Sequence, residues 1–96
     1  LSTEQNKNLP YSFELLNPYP NPFNPETNIH FFAKNKTISL LIYNINGNIV
    51  ESVISNFNAS GHHALKWNAN QHPSGVYFLK LVSENSIQTK KIMFLK

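Results

Sequence analysis

The sequence contains no cysteine, no aspartate and no arginine. Without cysteine there is no disulfide, no thiolate nucleophile and no thiolate-held metal. Without arginine there is no planar guanidinium to clamp a phosphate or carboxylate through two parallel hydrogen bonds. All eight cations are lysine and all five acids are glutamate, and charged residues make up only 14% of the chain. The three glycines are isolated from one another, so no glycine-rich loop is available to cradle a nucleotide phosphate. No apolar run approaches the roughly 20 residues of a membrane-spanning helix. Nor does a charged stretch followed by an apolar one open the chain in the manner of a signal peptide.

What is present fits a small folded unit. The chain has 96 residues, 41% of them apolar, and a net charge of +3. That length is one domain, and that composition buries enough apolar surface to fold. The positive balance reads as ordinary solubility. Its basic clusters, Lys34/Lys36 and Lys90/Lys91/Lys96, lack the arginines or interleaved aromatics of a nucleic-acid footprint, so no nucleic-acid partner is expected. Residues Leu1 to Leu9 are polar and aperiodic, and read as a linker. A first residue other than methionine suggests a piece cut from the C-terminal part of a longer protein.

The pattern after the linker is that of strands. Tyr11 to Leu16 is a short apolar run. From Pro18 to Pro25 prolines recur every second or third residue and push their predecessors out of helical backbone. Asn17, Asn21 and Asn24 are placed to close Asx-turns, and Tyr19–Pro20 is a candidate cis peptide. Thr27 to Ala33 alternates, with Thr27, Ile29, Phe31 and Ala33 on one face. Lys34-Asn35-Lys36 reads as a turn. Thr37 to Ile45 is apolar on both faces, as in a central strand. Asn46-Gly47 predicts a type I′ hairpin with Asn48 to Ser55 as the return strand. Asn56 to Ser60 reads as a loop, His62 to Trp67 as a strand, and Val76 to Ser83 and Ser86 to Lys96 as two more. Seven strands with turn signals at regular spacing, and no helical period, predict an all-β, seven-stranded antiparallel immunoglobulin-like β-sandwich.

Catalytic chemistry finds little support. His30, His62, His63 and His72 are the only imidazoles, and the adjacent His62 and His63 must point to opposite faces of a strand. With no thiolate or aspartate the ligand pool is thin, so neither metal nor other cofactor is expected. Serines occur without a nucleophile elbow. Glu14, Glu26, Glu51 and Glu84 are scattered, with no spacing that pairs two carboxylates. The expectation is a protein that is not an enzyme. Trp67, Tyr11, Tyr19, Phe23, Tyr43 and Tyr77 offer two readings, a sugar-stacking platform or core packing. Trp67 at a strand end favours core, and Tyr19 and Phe23 are expected to pin the proline corner onto the sandwich. Asn35-Lys36-Thr37 and Asn58-Ala59-Ser60 match the glycosylation sequon, a weak signal.

Five motifs in order carry a resemblance. They are Tyr19-Pro20-Asn21-Pro22-Phe23-Asn24-Pro25, the Ile42-to-Gly47 hairpin, the Gly61-to-Trp67 strand, Ser74-Gly75-Val76-Tyr77-Phe78, and Lys90-Lys91 followed by Ile92-Met93-Phe94-Leu95-Lys96. From about Leu9 to the last residue the chain resembles the type IX secretion system C-terminal sorting domain of Bacteroidetes and relatives (Por secretion tail, type A). An Ig-like module of flagellar hook-capping proteins shares part of the pattern. Asn68 follows Trp67 where family members often carry Asp, which weakens any cation role for that loop.

The resemblance implies a fused N-terminal cargo preceding residue 10 and a sorting domain over residues 10–96. It implies recognition by the outer-membrane type IX translocon and its shuttle barrel, then removal by a sortase-like peptidase with a cut in or before Leu1 to Leu9. The route runs from periplasm to cell surface or medium, with no transmembrane segment. Recognition would involve Gly47, Gly75 and Lys90, Lys91, Ile92, Met93, Phe94, Leu95 and Lys96. Pro20, Asn21, Pro22, Phe23, Asn24, Pro25, Trp67 and Tyr77 would be structural. A last strand at a sheet edge offers itself to strand addition by a partner, with its lysines discouraging self-pairing. The alternative is a carbohydrate-binding or adhesive Ig-like accessory module. A third reading is a purely structural spacer.

Overall fold

A computed structural model describes residues 13–96, so the expected linker lies outside the described residues. The described chain has five strands, all antiparallel to their neighbours, and no helix. They are β1 (Phe13–Leu15), β2 (Glu26–Asn44), β3 (Ile49–Asn68), β4 (Gly75–Val82) and β5 (Ile87–Phe94). The sheet runs β1-β2-β4-β5, and β3 pairs with β2 along most of its length. The far end of β2 is thus central, between β3 and β4.

Seven expected strands become five for a specific reason. The segments read as turns at Lys34–Lys36 and Asn56–Ser60 do not stop the ladder; they bulge it. Asn35 and Asn56 adopt left-handed φ of 51° and 49°, and the β2–β3 register slips between Ala33 and Lys36. Asparagine tolerates that backbone, and a bulge bends and twists a strand without ending it. Further shifts fall between Ile38 and Leu40, Leu40 and Leu41, and Ile42 and Tyr43. The bending is large. Glu51 and Trp67 both lie in β3, 16 residues apart, yet the Trp67 Nε1–H donates to Glu51 Oε1 at 2.8 Å. In a straight strand they would be about 50 Å apart. The β2–β3 ribbon therefore folds back, and the seven expected segments survive as stretches of five strands.

The expected type I′ turn is also corrected. Positive φ occurs at Gly47 (84°) but not at Asn46. The Gly47 N–H donates to Asn44 O, and the Asn44 side chain accepts from the amides of Asn46 and Asn48. The turn is centred one residue earlier, and glycine is needed only where the backbone leaves it in the left-handed region.

The buried side chains form one cluster drawn from all five strands and the proline corner. Thr27, Ile29, Phe31 and Ala33 are all buried, as their alternation predicts. Ile38, Leu40 and Ile42 continue that face, while Ser39, Leu41 and Tyr43 are only half-buried, so Thr37 to Ile45 is central yet covered on one face. Leu79 and Leu81 of β4 and Ile92 and Phe94 of β5 complete the core, and Met93 and Leu95 face outward. Burying each such side chain contributes about 1.5–3 kcal/mol.

Candidate recognition surface

The proline corner is held in place at both of its ends. Tyr19 exchanges two backbone hydrogen bonds with Asn28, and the Thr27 hydroxyl donates to Pro20 O at 2.8 Å. The peptide bonds preceding Pro20, Pro22 and Pro25 are cis. The corner then crosses to the last strand. The Asn21 side chain donates from Nδ2 to Lys91 O at 2.9 Å and accepts from Met93 N–H at 3.0 Å. The Phe23 N–H donates to Met93 O at 2.9 Å, and Leu95 N–H donates to Phe23 O at 3.1 Å. Asn21 thus serves β5 rather than closing a local Asx-turn.

Aromatic packing reinforces the crossing. The Phe23 ring sits 5.3 Å from Phe94 and 5.8 Å from Trp67, and Trp67 meets Tyr77 edge-on at 5.6 Å. Phe23, Trp67 and Tyr77 are all buried, as the structural reading of the motif expects. The Tyr77 hydroxyl donates to Pro73 O at 2.6 Å, and burial raises the phenol above its ordinary value. Tyr19 differs from its expectation. It is 58% exposed and stacks on His30 at 5.4 Å instead of entering the core. Since β5 spends four backbone groups on Asn21 and Phe23, its outer edge from Lys91 to Leu95 is closed to an added strand.

The outward face of the same sheet is open. Cross-strand register sets Tyr43 beside Phe78 and Phe78 beside Lys91. It sets Leu41 beside Lys80, Lys80 beside Thr89, and Val76 beside Met93. The Lys80 ammonium lies 4.6 Å above the Tyr43 ring, a cation–π contact that holds both side chains. Gly47 borders a groove of about 250 Å³ with Tyr43, Phe78, Lys80 and Thr89. Gly75 lies opposite Phe94 and borders a second groove of about 260 Å³ with Ile45, Ser74 and Val76. The Lys96 N–H donates to Ser74 Oγ at 3.1 Å.

The expected recognition residues are therefore neighbours, but not all face the same way. Lys91, Met93 and Leu95 share the outward side; Lys90 alternates onto the side of Ile92 and Phe94. Tyr43, Phe78 and Lys80 share this face; the sequence offers Tyr43 only as one of several aromatics and Phe78 only within a motif, and the register between β2, β4 and β5 is what groups them with Lys80.

The remaining chemistry-bearing groups are dispersed. Among the described residues no three His or Glu side chains gather as metal ligands. His72 Nε2 lies 3.5 Å from Glu51 Oε1, the oxygen that already accepts from Trp67. His63 is held against Phe31 at 5.1 Å and Phe57 at 5.5 Å, its Nε2 buried without a partner. Among the described residues no helix is long and apolar enough to cross a membrane.

The described chain is an antiparallel β module whose outward face carries aromatic and lysine side chains. The family comparison is specific: residues 17–95 match the secretion system C-terminal sorting domain, and the chain belongs to that family. It is a C-terminal sorting signal for type IX secretion, a family of signals and not of enzymes, which implies a fused cargo and export toward the cell surface or the medium. No curated protein and no solved structure matches the chain.

Proposed function

We propose that the outward face of β2, β4 and β5 is the surface by which the type IX machinery reads this domain. The observation that carries it is that Gly47 and Lys91 adjoin Tyr43, Phe78 and Lys80 on that face, with Met93 beside Val76 further along it and Gly75 in the neighbouring groove. Aromatic side chains and methionine are enriched at protein interfaces, and Lys80 and Lys91 add positive charge beside them. Side chains, not the backbone of β5, do the reading, because Asn21 and Phe23 already occupy that backbone. Lys90 and the buried Ile92 and Phe94 act by holding the strand in place. The left-handed φ of Gly47 and the φ of 153° at Gly75 shape the two grooves.

In this reading the folded ribbon supplies the two layers of an Ig-like sandwich. The domain is recognised by the outer-membrane translocon and its shuttle barrel after periplasmic transit, and a sortase-like peptidase removes it before residue 10. The test fuses the chain to a fluorescent reporter with a signal peptide in a type IX-competent host. Export that fails in a translocon mutant is expected. The double variant Lys91→Glu/Leu95→Glu alters exposed side chains, so it should abolish export while circular dichroism stays unchanged. Undiminished export of that variant sinks the assignment of the face. Removing Phe94 to Lys96 is a poorer test, because Phe94 is fully buried.

A further inference from the structure

The folding back of the ribbon also builds a pocket. Its lining comes from Glu51 near the start of β3, Asn68 at the end of β3, and Asn70, Gln71 and His72 in the loop that follows. The two ends of β3 are tied where the Trp67 Nε1–H donates to Glu51 Oε1. The loop is fixed by its own hydrogen bonds. Asn70 N–H donates to Asn68 Oδ1 at 2.9 Å, His72 N–H donates to Ala69 O at 2.8 Å, and Ala69 N–H donates to Pro25 O at 2.9 Å. The His72 ring packs 5.6 Å from the buried Trp67, and its Nε2 faces Glu51. The pocket holds about 430 Å³, against about 250 and 260 Å³ for the grooves beside Gly47 and Gly75. That volume is in the range of small-molecule sites.

We propose that this pocket binds a neutral, hydroxyl-rich ligand, a single hexose unit of a glycan. Every lining residue is polar, so an apolar ligand gains little by entering. No lysine lines the pocket, and the Glu51 carboxylate repels an anion. A hard cation needs several converging oxygens, whereas Glu51 is the only carboxylate here and one of its oxygens already accepts from Trp67. What remains is a set of groups that both give and take hydrogen bonds. Three carboxamides each donate and accept, the carboxylate accepts, and the imidazole adds one nitrogen of either kind. Neighbouring hydroxyls of a pyranose, each a donor and an acceptor, match that mixture. Among the described residues no hydrogen bond engages Glu51 Oε2 or the side-chain amides of Asn70 and Gln71. Trp67 is buried and offers no stacking face, so the flat surface in this pocket is the half-buried His72 ring. The pocket shares no residue with the outward face of β2, β4 and β5, and the inference does not rest on the sorting assignment.

The test titrates the full chain with the methyl glycosides of glucose, galactose and mannose, and with glycerol as an unselective polyol. Binding and site are both read from amide chemical shifts. At least one glycoside is expected to saturate with a Kd on the order of 1 mM, moving the amides of Asn68 to His72 and the indole N–H of Trp67. Glycerol should not saturate. The double variant Asn70→Ala/Gln71→Ala alters two exposed side chains and should weaken the binding about tenfold or more, with shifts elsewhere in the chain unchanged. Glu51→Gln keeps an oxygen for Trp67 but loses the carboxylate, and should weaken binding at least about threefold. Unsaturated shifts with all three glycosides, or shifts centred on the outward face of β2, β4 and β5, overturn the proposal. So does glycerol binding as tightly as the best glycoside, or full affinity in either variant.

Discussion

β2 and β3 are nearly the same length, 19 and 20 residues, and they are paired to each other, yet they are opposite in character. β2 takes partners on both edges and buries seven side chains along one face, from Thr27 through Ile42. β3 takes one partner and buries only Ala59 and Trp67. The difference lies in composition. β2 places an apolar residue at nearly every second position through both of its halves, whereas β3 carries Ser52, Ser55, Asn56, Asn58, Ser60 and Gly61 through its middle. Central placement follows the strand that can fill a core. The strand that cannot becomes the rim, where its backbone is left to face water or a partner.

The largest effect expected from that contrast is at Phe31, fully buried in β2. Phe31→Ala should destabilise the fold by ~3–5 kcal/mol, whereas Leu65→Ala on the half-buried face of β3 should remain near ~1 kcal/mol, both read from denaturant midpoints. Equal losses at the two sites would erase the distinction between centre and rim. A smaller effect is expected at Asn21, which makes β5 unlike the bare half of β3. Asn21→Ala should lower stability by about 1 kcal/mol and speed amide exchange at Met93, turning β5 into a second open edge. Unchanged exchange there would show that Phe23 alone closes it.

His63→Phe should be neutral or stabilise by up to about 1 kcal/mol, since it removes a buried nitrogen with no partner. The smallest effect is alkaline. The folded phenol of Tyr77 is raised above its ordinary value of 10.0, so its contribution is complete below that value and lost as pH rises through the folded pKa. Stability should fall above about pH 10, and less steeply in Tyr77→Phe; identical slopes would remove Tyr77 as a cause.

Much of this was legible in the residues. Thr27, Ile29, Phe31 and Ala33 announce their shared face by simple alternation, and Trp67 and Phe23 were rightly assigned to the interior. The family was readable from five short motifs in order. What misled was the double meaning of asparagine. At Asn35 and Asn56 the tolerance for left-handed backbone that marks a turn also permits a bulge, and only the partner strand decides between them. Tyr19 looked like a pin because it neighbours Phe23, yet its ring lies outside and its backbone does the holding. The clamp of Asn21 on β5 was invisible, because nothing local indicates that an amide will reach a strand 70 residues away. For the same reason Tyr43, Phe78 and Lys80 did not stand out as one surface.

That clamp also orders events in time. The β2–β3 ribbon closes through a turn of a few residues, but Asn21 finds Met93 only after 72 residues of chain have been gathered. Closing so long a loop costs more entropy than closing a short one, and distant contacts form slowly. The corner-to-β5 clamp, with the Leu15 and Phe13 contacts of Gln88, is thus one of the seams that tie the two ends of the described chain together, and such non-local contacts are expected to form late in folding.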